Sequence, residues 1–129
     1  MSHRCFAAFA LVLCAAPVYA EQSPVELAIE TYKFIDTCES MLQGAINSGS
    51  KADYNRFIWQ PTLAQIQKWP RLERTAFEKY RACQWAVDSF RVYSQDQFDA
   101  AGKMDKTRPR YREFVSRKRE CAATLKGRL

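Results

Sequence analysis

The stretch SPVELAIETYKFIDTCESMLQGAIN, residues 23–47, carries a helix start signal followed by one long amphipathic pattern. Ser23, with Glu three positions later, is a capping box, and Pro24 suits the first helical turn. At about 100° per residue, the apolar side chains fall on one broad face, with Cys38 near its centre. The sequence therefore predicts a first helix over residues 24–47. The expected members of its core face are Leu27, Ala28, Phe34, Ile35, Cys38, Met41, Leu42, Ala45 and Ile46.

A second helical stretch, residues 51–68, is interrupted by Pro61. Proline in a helix interior removes a backbone donor and clashes with the preceding turn, so we expect a kink or two shorter helices. Trp59 and Trp69 stand beside the prolines and are expected to fill the core at helix ends rather than to stack on a ligand. The apolar members of this stretch are Tyr54, Phe57, Ile58, Leu63 and Ile66.

Two further helices complete the pattern. Residues 70–100 repeat apolar side chains at spacings of three and four, with Cys83 central to the face and Gly102 as the stop signal. A fourth helix is expected over residues 108–126, with Thr107 as its N-cap. Four helices joined by short loops predict an all-α fold, a small up-down bundle whose second helix is broken by proline.

The first twenty residues, MSHRCFAAFALVLCAAPVYA, have the pattern of a secretory signal peptide. Arg4 precedes an apolar run that is shorter than the roughly 20 residues of a membrane-spanning helix. A membrane anchor and a lipoprotein modified at Cys14 are less favoured, the latter because a bulky residue precedes the cysteine. We therefore expect cleavage near Ala20, a single mature domain of residues 21–129, and a periplasmic or secreted protein.

Three cysteines remain in the predicted mature domain, and an exported compartment favours one disulfide among them. In an up-down bundle the first and third helices run parallel, which places Cys38 and Cys83 at similar heights. We therefore expect a Cys38–Cys83 bridge that staples the bundle, with Cys121 as the unpaired thiol. Either pairing with Cys121 remains an open alternative.

The only histidine is His3, which lies in the predicted signal peptide. The predicted mature domain therefore lacks a histidine for general acid–base catalysis, for a nucleophile pair, or for a haem or zinc site. No CxxC motif supports a redox-active dithiol. We expect no catalytic residues, no metal and no cofactor, and keep an enzyme based on cysteine or carboxylate chemistry as the less favoured reading.

Positive charge is concentrated at the C-terminal end. Residues 21–102 contain nine Lys or Arg against eleven Asp or Glu, whereas residues 103–129 contain ten against three. On a helical wheel, four cations of the fourth helix fall within about 40° of each other. This basic stripe consists of Arg108, Arg112, Arg119 and Lys126. A second flank consists of Arg110, Arg117 and Arg128.

Two interpretations of these cations remain open. An amphipathic helix can bring basic flanks to an anionic surface. Alternatively, long cationic side chains can simply border a core face and extend over it. Lys118 is expected on the apolar face itself, and Trp85, on the outward side of the third helix among charged residues, is a candidate interface anchor.

These features favour an exported, non-enzymatic binding protein of the cell envelope. Its expected binding residues for a protein partner are Arg108, Arg112, Arg119, Lys126 and Trp85, and an inhibitor or immunity-type protein is its most concrete form. The alternative is a protein that binds anionic lipid or cell-wall polymer without a dedicated protein partner. Nucleic acid is not expected as a partner because little of it is present outside the cytoplasm.

Overall fold

The computed structural model describes residues 21–71 and 74–129, and this part of the chain contains helices and turns but no strand. The predicted signal peptide, residues 1–20, lies outside the described residues. About four main helical stretches pack together, which confirms the predicted all-α bundle.

Helix α1 (Pro24–Ser48) begins with the predicted capping box. The Ser23 hydroxyl accepts a hydrogen bond from the Glu26 amide at 3.3 Å, and the Glu26 carboxylate accepts one from the Ser23 amide at 3.1 Å. Gly49 ends the helix with φ at 64°, a left-handed conformation that glycine adopts at little cost. The local signals therefore fixed both ends of α1 to within one residue.

The second stretch stays helical throughout instead of separating into two helices. Helix α2 (Lys51–Tyr54) continues into a π-helical turn (Asn55–Trp59), and α3 (Gln60–Gln67) follows directly. The Gln60 amide donates to the carbonyl of Asn55, five residues earlier. The π turn thus widens the hydrogen-bond ladder just before Pro61, the residue that has no amide hydrogen to donate.

The π turn also changes which side chains reach the core. Tyr54 and Ile58 are buried, whereas Phe57 between them is 41% exposed. Met41 of α1 is 39% exposed and borders the same surface hollow as Phe57. The expected place of Met41 in the core face of α1 was therefore wrong, and Phe57 is an apolar member of the second stretch that faces solvent.

The third helix begins later than the periodicity indicated. Pro70 is not helical, a short α4 (Thr75–Glu78) follows, and α5 spans Arg81–Asp99. Tyr80 breaks the stretch with φ −108° and ψ 11°. Tyr80 is itself a core residue, as is Phe77 of α4, whose ring centroid lies 6.1 Å from that of Trp69.

Helix α6 (Pro109–Thr124) runs antiparallel to α5 and packs on it through aromatic rings. The rings of Tyr93 and Phe114 are stacked with centroids 4.6 Å apart, and Phe90 lies 5.4 Å from Phe114. The N-cap of α6 is Arg108, so the predicted N-cap, Thr107, was wrong by one residue. The backbone amide of Thr107 donates to the Asp105 carboxylate at 2.8 Å.

The disulfide joins Cys83 to Cys121, with Cα atoms 4.6 Å apart. The prediction of a Cys38–Cys83 bridge with Cys121 unpaired was wrong, because it assumed that the third helix begins at Pro70. Because α5 begins at Arg81, Cys83 lies in the first turn of α5. Helix α6 is antiparallel, so Cys121 in the last turn of α6 lies beside it. Cys38 is a buried free thiol, and burial raises its pKa to about 11.

Buried polar groups are matched across the helices. The Thr31 hydroxyl oxygen accepts hydrogen bonds from the Gln65 side-chain amide at 2.9 Å and from the Trp69 indole N–H at 3.1 Å. Every buried side-chain nitrogen and oxygen among residues 21–71 and 74–129 has a hydrogen-bond partner. Trp69 therefore fills the core, as expected, and also ties α1 to the end of the second stretch.

Candidate binding surfaces on the last helix

Lys118 connects α6 to α1. Its ammonium group forms an ion pair with Asp36 at 2.5 Å and a second one with Glu39, and it lies 5.6 Å from the centroid of the Tyr32 ring. Burial alone would lower the pKa of this lysine, but the two carboxylates outweigh burial and raise it. Lys118 is therefore engaged within the fold and is not free to bind a partner.

Two cations of the second flank are also engaged. The Arg110 guanidinium donates to both carboxylate oxygens of Asp96 at 3.2 Å, which ties the start of α6 to α5. Arg117 pairs with Glu120 at 3.1 Å, and its guanidinium carbon lies 4.5 Å from the centroid of the Trp85 ring. These arginines therefore hold α6 against α5.

The basic stripe is different because its cations are exposed and largely unpaired. Arg112, Arg119 and Lys126 form no side-chain hydrogen bond or ion pair among the described residues. Arg108 lies beside Asp105, whose pKa is lowered by hydrogen bonds from Thr107 and by the charge of this arginine. Arg112 and Arg119 are two helical turns apart, about 10.5 Å along α6, and Lys126 follows in the turn after the helix.

The structure places Trp85 away from the stripe. At about 100° per residue, Arg112 and Arg119 lie about 140° and 160° around α6 from Arg117, the residue that covers the Trp85 ring. Trp85 is 43% exposed and lies in a separate groove between α5 and α6. The predicted binding residues therefore form two surfaces rather than one.

The groove has a volume of about 440 Å³. The lining residues are Trp85, Asp88, Ser89, Arg91 and Val92 of α5, with Arg110, Glu113 and Arg117 of α6. Asp88 is half-buried, and burial raises the pKa of its carboxyl, with Arg91 partly offsetting the effect. The sequence indicated Asp88 only as a charged neighbour of Trp85, and the contribution of α6 depends on how the two helices pack.

Other kinds of site lack support in the part of the chain that the structure describes. There, no group of three or more His, Cys, Asp or Glu side chains is arranged to hold a metal ion. Among the same residues, no helix is both long enough and apolar enough to cross a bilayer.

Comparison of the chain with protein-family models, with curated protein sequences and with solved structures found no match in any of the three.

Proposed function

We propose that the protein is an exported, non-enzymatic binding protein of the cell envelope that holds an acidic protein partner through the basic stripe of α6. One observation carries the proposal. Arg112, Arg119 and Lys126 lie exposed along one line without a carboxylate, whereas Arg110, Arg117 and Lys118 of the same helix are all paired. Uncompensated cations in a row attract an acidic surface and accelerate association with it.

Packing of α6 favours a protein partner over a lipid surface. A helix that lies in a bilayer interface inserts its apolar face among the acyl chains. Here the apolar face of α6 is already covered, since Phe114, Cys121 and Leu125 are at most 2% exposed. The large side chains that α6 leaves exposed are polar or charged, which suits the polar, charged rim of a protein–protein interface. An inhibitor or immunity-type protein that blocks an envelope enzyme is the most concrete form of this function.

Affinity capture from envelope extract of the producing cells tests the proposal. The tagged protein is compared with a variant carrying Arg112→Ala, Arg119→Ala and Lys126→Ala. The matched control carries Lys33→Ala, Lys51→Ala and Lys103→Ala, which removes the same charge from exposed positions elsewhere. We expect the parent and the control to retain one stoichiometric protein that the stripe variant loses, with all three showing the same circular dichroism spectrum.

Equal retention of that protein by the stripe variant would overturn the assignment to α6. Recovery of only anionic lipid or wall polymer, released by raised salt, would instead support the surface-binding alternative, because salt screens exposed charges.

A further inference from the structure

In the groove between α5 and α6, the cations have partners within the fold, whereas the carboxylates accept no hydrogen bond from the residues that the structure describes. Arg110 is bound to Asp96 by both carboxylate oxygens, and Arg117 is held between Glu120 and the Trp85 ring. Arg91 lies with its guanidinium carbon 5.8 Å from the centroid of the Trp59 ring. Each cation that lines the groove therefore already has a partner within the fold.

The acceptors of the groove are open. The Asp88 carboxylate receives no hydrogen bond from any described residue, although it is half-buried. Glu113 on the facing helix is exposed and forms no ion pair within the described part of the chain. The Ser89 hydroxyl donates to the backbone carbonyls of Trp85 and Ala86, so it leaves the carboxylates unbound. Arg91 acts on Asp88 through its charge without a hydrogen bond, so what the Asp88 carboxylate lacks is a donor that binds it directly.

Trp85 restricts the kind of cation. Its ring lines the same groove, and the residue as a whole is 43% exposed even with Arg117 beside it. A guanidinium group can stack on an aromatic ring and donate two parallel hydrogen bonds to one carboxylate, whereas an ammonium group is a strongly hydrated point charge. Guanidinium is also the cation that this ring already contacts in Arg117.

We propose that this groove binds the arginine side chain of a peptide segment, with Asp88 accepting the guanidinium and Trp85 packing against it. A volume of about 440 Å³ falls within the range of about 300–1,000 Å³ that small-ligand sites occupy. Glu113 lies at the exposed side of the groove and adds attraction without requiring burial of a second charge. This site goes beyond the proposed function, because it lies on the other side of α6 from the basic stripe and selects a ligand of opposite charge.

A titration followed by nuclear magnetic resonance tests the proposal. The ¹⁵N-labelled protein is titrated at physiological salt with an end-blocked Gly-Gly-Arg-Gly-Gly peptide and with its citrulline counterpart, which keeps the shape of arginine without the charge. The readout is the Trp85 indole N–H signal, assigned by its loss in Trp85→Phe, and the buried Trp69 signal is the internal control. We expect a saturable shift of the Trp85 signal with the arginine peptide and at least about tenfold weaker binding of the citrulline peptide, since charge-assisted hydrogen bonds are lost.

Variants separate this site from the stripe. Asp88→Asn should weaken binding of the arginine peptide by about tenfold, whereas Asp99→Asn, an exposed position of the same helix, should leave it unchanged. The stripe variant should bind the peptide as the parent does, so the two proposals can fail separately. Equal binding of the arginine and citrulline peptides, full binding by Asp88→Asn, or no saturable shift with arginine would each overturn the proposal.

Discussion

Arg117 of α6 lies over the indole ring of Trp85 of α5, with its guanidinium carbon 4.5 Å from the ring centroid. The same arginine pairs with Glu120 one turn further along its own helix. Both residues line the groove, and their contact joins α6 to α5. Its strength can be measured because both residues reach the surface.

A double-mutant cycle should detect this contact. Arg117→Ala and Trp85→Ala, made singly and together, should show a coupling energy of about 0.5–1 kcal/mol in urea unfolding, the range for exposed cation–π pairs. The matched cycle uses Arg112 with Trp85, because Arg112 faces away from the ring, and its coupling should be close to zero. Equal coupling in both cycles would mean that the measured effect reflects general charge rather than the contact.

The disulfide assignment predicts unequal roles for the cysteines. Removing the Cys83–Cys121 bridge with two alanines should lower the free energy of unfolding by about 4 kcal/mol, the chain-entropy value for a separation of 38 residues. Cys38→Ala, a single buried substitution, should cost only about 1 kcal/mol. Peptide mapping by mass spectrometry under non-reducing conditions should recover the Cys83–Cys121 pair, and a Cys38–Cys83 peptide would contradict the structure.

The remaining thiol provides a separate test of the same arrangement. Cys38 is 2% exposed and burial raises its pKa to about 11, so little reactive thiolate exists at neutral pH. In a protein of residues 21–129, a maleimide reagent should therefore label the folded state negligibly and label one thiol, Cys38, once denaturant unfolds it. Rapid labelling of the native protein would show that the core around Cys38 opens readily.

Helix ends were predictable where adjacent residues determine them. The capping box of Ser23 and Glu26 and the left-handed glycine at Gly49 act within one turn, so sequence spacing alone locates both ends of α1. Gly102 likewise takes a left-handed conformation with φ at 80° just after α5. The effect of Pro61 was predicted only in part, because a π turn could replace the expected break.

Features that depend on packing between helices were not predictable from periodicity. The break before α5 contains the buried Tyr80, and the late start of α5 determines which cysteine faces Cys83. A helical wheel also places Trp85 and the basic stripe on their own helices without showing how the two helices face each other. For this reason the sequence grouped them as one binding surface, and the structure separates them.

Thr31 should be sensitive to a substitution that keeps its shape. Thr31→Val removes the oxygen that accepts from Gln65 and Trp69, which leaves the buried Trp69 indole N–H without a partner and takes one partner from the Gln65 amide. An unsatisfied buried donor costs about 1–3 kcal/mol, so the expected loss in urea unfolding is about 2 kcal/mol or more. Thr37→Val, an exposed position of the same helix, should change stability by less than about 0.5 kcal/mol. A similar effect at both positions would show that the hydrogen bonds of Thr31 contribute little.

Asp88 should reduce the stability of the free protein at neutral pH. Burial raises the pKa of its carboxyl in the folded state, so folding favours the protonated form and opposes the charged one. Asp88→Asn should therefore be more stable than the parent at pH 7. Its advantage should shrink as pH falls through the raised pKa and vanish below the ordinary pKa of an aspartate, where both states of the parent are protonated.

Asp105 supplies a control of opposite sign. Hydrogen bonds from Thr107 lower the pKa of this carboxyl, so its contribution to stability is present above the ordinary aspartate pKa and is lost as pH falls through the lowered value. Urea unfolding of both asparagine variants between pH 7 and pH 3 should show the two differences from the parent changing in opposite directions. If Asp88→Asn is more stable than the parent and also binds the arginine peptide more weakly, the Asp88 carboxylate serves binding at the expense of stability. Functional sites often retain groups that reduce stability. If Asp88→Asn is instead less stable than the parent at pH 7, the carboxylate has a donor within the fold and the groove is not open to a guanidinium.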